Sequence, residues 1–438
     1  MLERNISTDI EALVSQVDRF PIDKRTILQS QLDLSNRERK SLFSWRGQFS
    51  PGLVELLLTR YAKNNAVVFD PFVGSGTTLF ETVRKSMACF GAEINPAAVE
   101  MARAAEFATM DPSQRSVYIE KAEAIVKRHL RHRHRLDAFS IDQVGTAVTA
   151  LSDGDERLLE EMFLDMLNDA SDNEMIHNIV MNTILHYTVL HNKESPNAFL
   201  RAFRLQVKAL MDLPFSNKPC KVFHCDARKT PLDDESANLV ITSPPYINVF
   251  NYHQNYRQVM ELMGWDLLVI AKSEIGSNRK NRGNRFLTVV QYAIDLLEAL
   301  CEMRRIIHSD GRIIVVIGRK SKVRDVSFEN YKILSALAVG GASLRLICRQ
   351  ERKFVNRFGQ TIIEDLLHFA PAGNPQGPSV GLARNIALRF LVEAEKRTAG
   401  EVHEDIALAI ENARNIASSP IFGEKDIVNL QRREYGKA

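Results

Sequence analysis

The stretch Asn238-Leu-Val-Ile-Thr-Ser-Pro-Pro-Tyr246 constrains this chain more than any other, because an apolar strand there runs straight into two consecutive prolines. Pro245 restricts Pro244 to an extended backbone and neither proline donates an N–H, so the carbonyl between them is a rigid, exposed acceptor. Ser243 adds a second acceptor. Two converging acceptors suit the two N–H donors of an exocyclic amino group on a nucleobase, on whose ring Tyr246 can stack. A base inside a duplex cannot reach such a pocket, so it would have to flip out, stacking on the aromatic side chain offsetting part of the unpairing. The plainer reading is a structural Pro-Pro turn with Tyr246 as packing.

The surrounding pattern is that of a parallel sheet. Ala66 to Phe69 is a short apolar run that stops at Asp70-Pro-Phe-Val-Gly-Ser-Gly-Thr-Thr78, and a helical pattern follows from Leu79 to Lys85. A second run, Ala88 to Ala92, ends in Glu93, and Asn95-Pro96 opens a helix reaching about Phe107. Strand-helix-strand-helix order implies an α/β fold with parallel strands. From about Asp111 to Leu213 the sequence reads as successive helices, an insertion. Strand-like runs resume at Lys221 to Cys225, Asn238 to Thr242 and Arg312 to Ile317, the last preceded by a helical stretch from about Leu287 to His308. Two extended runs, Ala342 to Phe354 and Thr361 to Phe369, flank a turn at Asn356 to Gly359 and suit an antiparallel edge. Pro371 to Pro378 reads as a linker, and helical patterns follow at Val380 to Arg397 and Val402 to Ala417.

Gly74 and Gly76 let the backbone turn tightly and approach a ligand at the carboxyl end of a strand, where a helix N-terminus offers free N–H groups. Glu93 closes the next strand, placed to accept the ribose hydroxyls of an adenosine ligand. Together these imply a nucleoside cofactor. A dinucleotide fingerprint lacks its third glycine, and no lysine follows Gly76, which disfavours nucleoside triphosphate hydrolysis.

Composition excludes little more. Of 438 residues, 57 Lys and Arg stand against 54 Asp and Glu, a formal charge of +3, so total charge neither demands nor forbids a polyanion. The five cysteines contain no CxxC pair and no HExxH spacing occurs, so no metal is expected. The charged N-terminus and the absence of a long apolar run point to a cytoplasmic protein that does not enter a membrane.

These residues resemble the S-adenosylmethionine-dependent DNA amino-methyltransferases that modify cytosine N4 or adenine N6. Asp70 to Thr78 looks like their cofactor loop, Ser243-Pro244-Pro245-Tyr246 like their catalytic motif, and Gln48-Phe49-Ser50-Pro51-Gly52 like the segment lining the methionine end of the cofactor. The resemblance implies cofactor contacts at Gln48, Ser50, Asp70, Pro71, Phe72, Gly74, Ser75, Gly76, Thr77, Thr78, Glu93 and Ile94, with Asp226 at the adenine. It implies a Rossmann-like sheet of seven strands, helices on both faces and an antiparallel last strand. Serine before Pro-Pro is the variant associated with cytosine N4, which leaves adenine N6 open.

The expected organisation is an arm at 1–45, a catalytic domain at 46–108 and 221–370, a helical insertion at 109–220 that is a candidate for target recognition, and a linker with C-terminal helices at 371–438. The cofactor motif precedes the catalytic motif here, whereas many serine-type relatives reverse them. Double-stranded DNA is the implied partner, with a cognate restriction endonuclease or defence partner. Two basic stretches suit phosphate: Lys127 to Arg135, with Arg128, Arg131, Arg133 and Arg135, and Lys272 to Arg285, with Arg279, Lys280, Arg282 and Arg285, which reads as a mobile loop. Asn248, Asn251, Tyr252, His253, Asn255 and Tyr256 follow the catalytic motif and could line the base pocket. The competing functions are an RNA guanine-N2 methyltransferase, against which no separate RNA-binding domain fits in residues 1–45, and a nucleic-acid-binding subunit that has lost catalysis.

Overall fold

The computed structural model describes residues 8–34, 41–45, 47–134, 153–189, 198–247, 254–277, 281–355 and 359–423. Its strands are β1 (Val67–Asp70), β2 (Ala88–Glu93), β3 (Cys220–His224), β4 (Ala237–Thr242), β5 (Ile307–Gly318), β6 (Lys320–Val323), β7 (Val326–Glu329), β8 (Leu344–Val355) and β9 (Thr361–Pro371). Seven of them form one sheet in the order β3-β2-β1-β4-β5-β9-β8, while β6 and β7 pair separately. The pairs from β3 through β5 are parallel. The last strand, β9, runs antiparallel to both neighbours. The hairpin of β8 and β9 thus closes one side of the sheet, but the antiparallel strand lies inside and β8 takes the rim.

Both faces of the central strands are apolar, which is why the sequence runs there are continuous rather than alternating. Val68, Leu239, Ile241, Ile314 and Val316 join the core on one face, with the helices of the 112–211 region. Phe69, Val240, Ile313, Val315 and Ile317 join the other, with the helices Leu287–Ile306, Asn330–Gly341 and Val380–Glu395. The helix before β5 stops at Ile306, two residues short of the sequence reading, because Ile307 already pairs with Ala237.

The helical segment is packed against the sheet and its helices. Asn178 and Asn182, buried on the helix Glu174–Val189, both donate to the Glu100 carbonyl at 2.8 Å. Arg115, fully buried, donates to the carbonyls of Phe107, Met110, Leu210, Leu213 and Pro214, which ties the entry and exit of the segment together.

The chain winds outward from β1 to β2 and β3, then returns to place β4 on the other side of β1. Strand order reverses between β1 and β4, and such a switch point leaves a crevice at the carboxyl ends of the strands. Asp70, Glu93 and Ser243 all sit at those ends.

Candidate active site

Asp70 closes β1 and is buried, and its three bonds hold the floor of the crevice together. Oδ1 accepts from the Phe72 amide at 3.1 Å and from Thr242 Oγ1 at 2.6 Å, and Oδ2 accepts from Thr78 Oγ1 at 2.6 Å. One carboxylate thus joins β1, the end of β4 and the helix Thr77–Arg84. Burial pushes its pKa up to about 6 against the pull of those donors.

The two glycines of the loop have different reasons to be glycine. Gly76 has φ +92°, and a Cβ there would lie 2.8 Å from Ala102 Cα, so the helix Pro96–Arg103 packs directly on it. Gly74 has φ +51° and faces the pocket beside Trp45. Its amide donates to Glu93 Oε2 at 3.1 Å, while Glu93 Oε1 accepts from the Ile94 and Asn95 amides, each at 2.9 Å. A carboxylate can accept about four bonds, so Glu93 keeps capacity for a further donor. Burial, helped by the charge of Glu274, pushes its pKa up to about 7.

Around this loop lies a pocket into which the structure brings Gln48, Pro71, Phe72, Gly74, Ser75, Thr77, Glu93, Ile94 and Asp226, together with Ser243 and Pro245. Gln48 Nε2 donates to Ser75 Oγ at 2.6 Å, joining the upstream segment to the glycine loop. Four expected contacts do not line it. Asp70, Gly76 and Thr78 lie in the floor, occupied with the bonds and packing just given, and Ser50 lines an adjoining cleft.

The sequence reading missed Trp45 and the wall Ser273-Glu274-Ile275. Trp45 is one of two tryptophans and directly precedes the Gly47-Gln48 segment, a signal that was available. The described residues of the Lys272 to Arg285 stretch, 272–277 and 281–285, are largely packed, unlike the mobile loop its composition suggests. Lys272 and Ser273 end the helix Leu267–Ser273, Asn281 and Asn284 are buried, and Asn284 Nδ2 donates to the Asp405 carbonyl at 2.6 Å. Asn284 finds a backbone partner that the charge pattern does not announce.

The adjoining cleft shares Gly47, Gln48, Phe49 and Ser243 with the pocket and continues along Tyr246, Arg319, Arg352 and Glu364. His186, Val189 and Leu205 of the helical segment form part of its wall. Pro244 is buried behind the turn. The Tyr246 hydroxyl hydrogen-bonds the Ser243 side chain and the Gly318 backbone, and burial raises its pKa. Arg352 Nη1 donates to Glu364 Oε2 at 3.2 Å, an ion pair between β8 and β9 at the cleft.

Of the basic candidates, Arg128 pairs with Asp169, as does His129. Arg282 and Arg285 are exposed. Arg135, Arg279 and Lys280 lie outside the described residues, as do the side chains of Arg131 and Arg133. So do Asn248, Asn251, Tyr252 and His253. Asn255 is partly buried, and Tyr256 is a packing residue: its hydroxyl donates to the Ser44 carbonyl at 2.6 Å and its ring stacks on Trp45 at 6.2 Å.

With this geometry established, the comparisons with known proteins are specific. Residues 24–104 match the family described as DNA methylase. The type II methyltransferase M.MjaII of Methanocaldococcus jannaschii is 36% identical over 110 residues, covering 22% of this chain and 21% of that protein. Over this segment the chain is similar to DNA methylases. The matched segment contains Gln48, the glycine loop and Glu93, whereas Asp226 and the Ser-Pro-Pro-Tyr turn lie beyond it. The match spans about a fifth of the relative's length. Among solved structures, an S-adenosylmethionine-dependent methyltransferase of Methanosarcina mazei is similar with a TM-score of 0.32 and 9% identity, over 73% of this chain and 98% of that one. The rRNA methyltransferase aviRa of Streptomyces viridochromogenes gives 0.29 and 12%, over 79% and 96%. The fold assignment rests on the chain's own strand order, β3-β2-β1-β4-β5-β9-β8. No metal-holding group of His, Cys, Asp and Glu occurs among the described residues, nor any helix long and apolar enough to cross a membrane.

Proposed function

We propose that this chain transfers a methyl group from S-adenosylmethionine to the exocyclic amino group of a base flipped out of double-stranded DNA, with cytosine N4 as the target. The observation that carries the reading is the position of Ser243, which lines both the glycine-loop pocket and the cleft beside it. A cofactor in one and a base in the other would meet at that residue.

The pocket fits the cofactor by its donor set. Glu93, with acceptor capacity left after three backbone bonds, would take a ribose hydroxyl. Phe72 and Ile94 offer apolar surface for the adenine, next to Asp226, and Gln48 and Trp45 stand at the other end for the amino-acid part. When bound, the cofactor supplies an electrophilic methyl on a sulfonium sulfur. The chain's own work is positioning: Ser243 Oγ and the Pro244 carbonyl accept from the amino group, hold its nitrogen in line and stabilise the positive charge that develops there. Tyr246, bonded to Ser243, orients that hydroxyl. The proton leaves to water or to these acceptors. A role in restriction-modification or phage defence, with a nuclease partner, accompanies this reading.

The test is methyl transfer from labelled S-adenosylmethionine to unmethylated genomic DNA and, in parallel, to total RNA, with the modified nucleoside identified by mass spectrometry. N4-methylcytosine in DNA is the expected product. N6-methyladenine would keep the mechanism and change the base, and label confined to RNA, or none in DNA, would overturn the proposal.

A further inference from the structure

The C-terminal helices were opaque in the sequence, yet the chain that leaves them returns to Asp226, a residue of the cofactor pocket wall. Residues 417–422 do not line the pocket but run as a strap behind its wall, bonded to Asp226, Arg228 and Asp295. Gln291 Nε2 donates to the Ala417 carbonyl at 2.6 Å, Ser419 donates to Asp295 from both its amide and its hydroxyl, and the Phe422 amide donates to Asp226 Oδ2 at 3.1 Å. Asp226 itself lines the pocket.

Arg228 joins these pieces. Its side chain is buried, with Nε and Nη2 on the two oxygens of Asp226 at 2.9 and 2.6 Å, and Nη1 reaching Asp295 Oδ1 at 3.3 Å. The same guanidinium donates to the carbonyls of Ser419 at 2.9 Å and Pro420 at 2.8 Å. Its Nη2 also lies 3.5 Å from the Ser273 carbonyl, in the wall that continues as Glu274 and Ile275. An arginine fork fixes a carboxylate plane in a way a single point charge cannot.

A second contact runs independently to the same pocket. The Phe422 ring packs on the His224 ring at 5.1 Å, and His224 Nε2 lies 3.0 Å from the Ile94 carbonyl. Burial holds the imidazole neutral, so that nitrogen carries the proton and donates. Ile94 lines the pocket next to Glu93.

We propose that the strap Ala417–Phe422, acting through Arg228 and His224, is the positioning element of the nucleoside end of the cofactor site: it fixes Asp226 and Ile94 in the geometry that receives the adenosine. This rests on the cofactor reading above. Ordering the carboxylate and the backbone before the ligand arrives removes that cost from binding.

The experiment titrates two probes calorimetrically into the full chain, S-adenosylhomocysteine and 5′-methylthioadenosine, the second lacking the amino-acid part. Phe422→Pro deletes the amide donor and Ser419→Ala deletes one anchor of the strap, whereas Arg228→Met is avoided because it strands buried carboxylates. Phe422→Pro is expected to weaken both probes by the same factor, about tenfold, and Ser419→Ala by a smaller equal factor, each with a native circular dichroism spectrum. Gln48→Ala, at the other end, is expected to weaken S-adenosylhomocysteine alone. A purely structural strap would lower the melting temperature without moving either affinity, and unchanged or tighter binding in both folded strap variants overturns the proposal. Wild-type protein that binds neither probe overturns the cofactor reading and this inference with it.

Discussion

The ring of Tyr246 lies directly on Gly318, the last residue of β5: a Cβ built on that glycine would stand 2.9 Å from the ring's Cε2. The tyrosine hydroxyl bonds back to the same glycine's backbone and to Ser243, so the position of Ser243, the proposed catalytic residue, is set partly by the absence of a side chain on β5. Gly318→Ala must push the ring off its seat. Its expected effect is a turnover reduced at least about tenfold, with S-adenosylhomocysteine affinity within a few-fold of wild type, since the displaced group faces the cleft rather than the cofactor. Single-turnover kinetics beside a binding titration would separate the two, and loss of affinity with intact turnover would contradict the placement.

Gly74 and Gly76 are one residue apart and predict opposite phenotypes. Gly74→Val puts a branched side chain at φ +51° on the pocket wall beside Trp45, where it should abolish cofactor binding in a protein that still folds. Gly76→Val would drive its side chain into the helix Pro96–Arg103 at φ +92° and is expected to cost about 3 kcal/mol or more in stability through strain and overpacking. Thermal melts with and without S-adenosylhomocysteine distinguish them: a folded, ligand-insensitive Gly74→Val and a low-melting Gly76→Val.

Glu93 gives the site a pH dependence. Its folded pKa of about 7 stands above the ordinary 4.5, so the folded state binds this proton more tightly than the unfolded chain does. Stability from this group is therefore fully present below pH 4.5 and is lost as pH rises towards 7. Ligand binding has the opposite sign, because a ribose hydroxyl donates to the ionised carboxylate. Affinity for 5′-methylthioadenosine should rise about tenfold between pH 6 and 8, following the ionised fraction of a group with that pKa. In Glu93→Gln the profile should be flat. A wild-type profile equally flat would place the ribose elsewhere.

The legible parts of this protein are those where a local rule fixes the backbone. Apolar runs ending in Asp70, Glu93 and Ser243 announced parallel strands whose carboxyl ends converge, and two consecutive prolines marked the turn at the site. What stayed hidden depends on partners distant in sequence. Nothing local in Lys272 to Arg285 reveals that Asn284 binds the Asp405 backbone, or that Ser273 to Ile275 are a pocket wall. Asp70 was legible as a site residue, but its role was not: the donors that occupy it, Thr78 and Thr242, are 8 and 172 residues away. The strap at Ser419 and Phe422 meets Asp295 and Asp226 across more than a hundred residues, beyond the reach of periodicity or spacing.

Thr242 and Ser243 are adjacent hydroxyl residues at the end of β4, and the sheet assigns them different work. Thr242 points into the floor and donates to Asp70 at 2.6 Å, while Ser243 faces the junction of pocket and cleft. Thr242→Val leaves a buried carboxylate short of one donor and is expected to destabilise the protein by about 1–3 kcal/mol in chemical denaturation. Turnover of the folded fraction should change only a few-fold. Ser243→Ala removes an acceptor from a partly exposed position, so stability should be nearly unchanged and cofactor affinity should stay within a few-fold. Methyl transfer should fall by about 100-fold, the scale seen when one preorganised polar group is removed from a reacting centre. If Thr242→Val proved the inactive variant and Ser243→Ala the unstable one, the catalytic assignment of Ser243 would fail, because the hydroxyl that matters to the reaction would then be the one beneath the site.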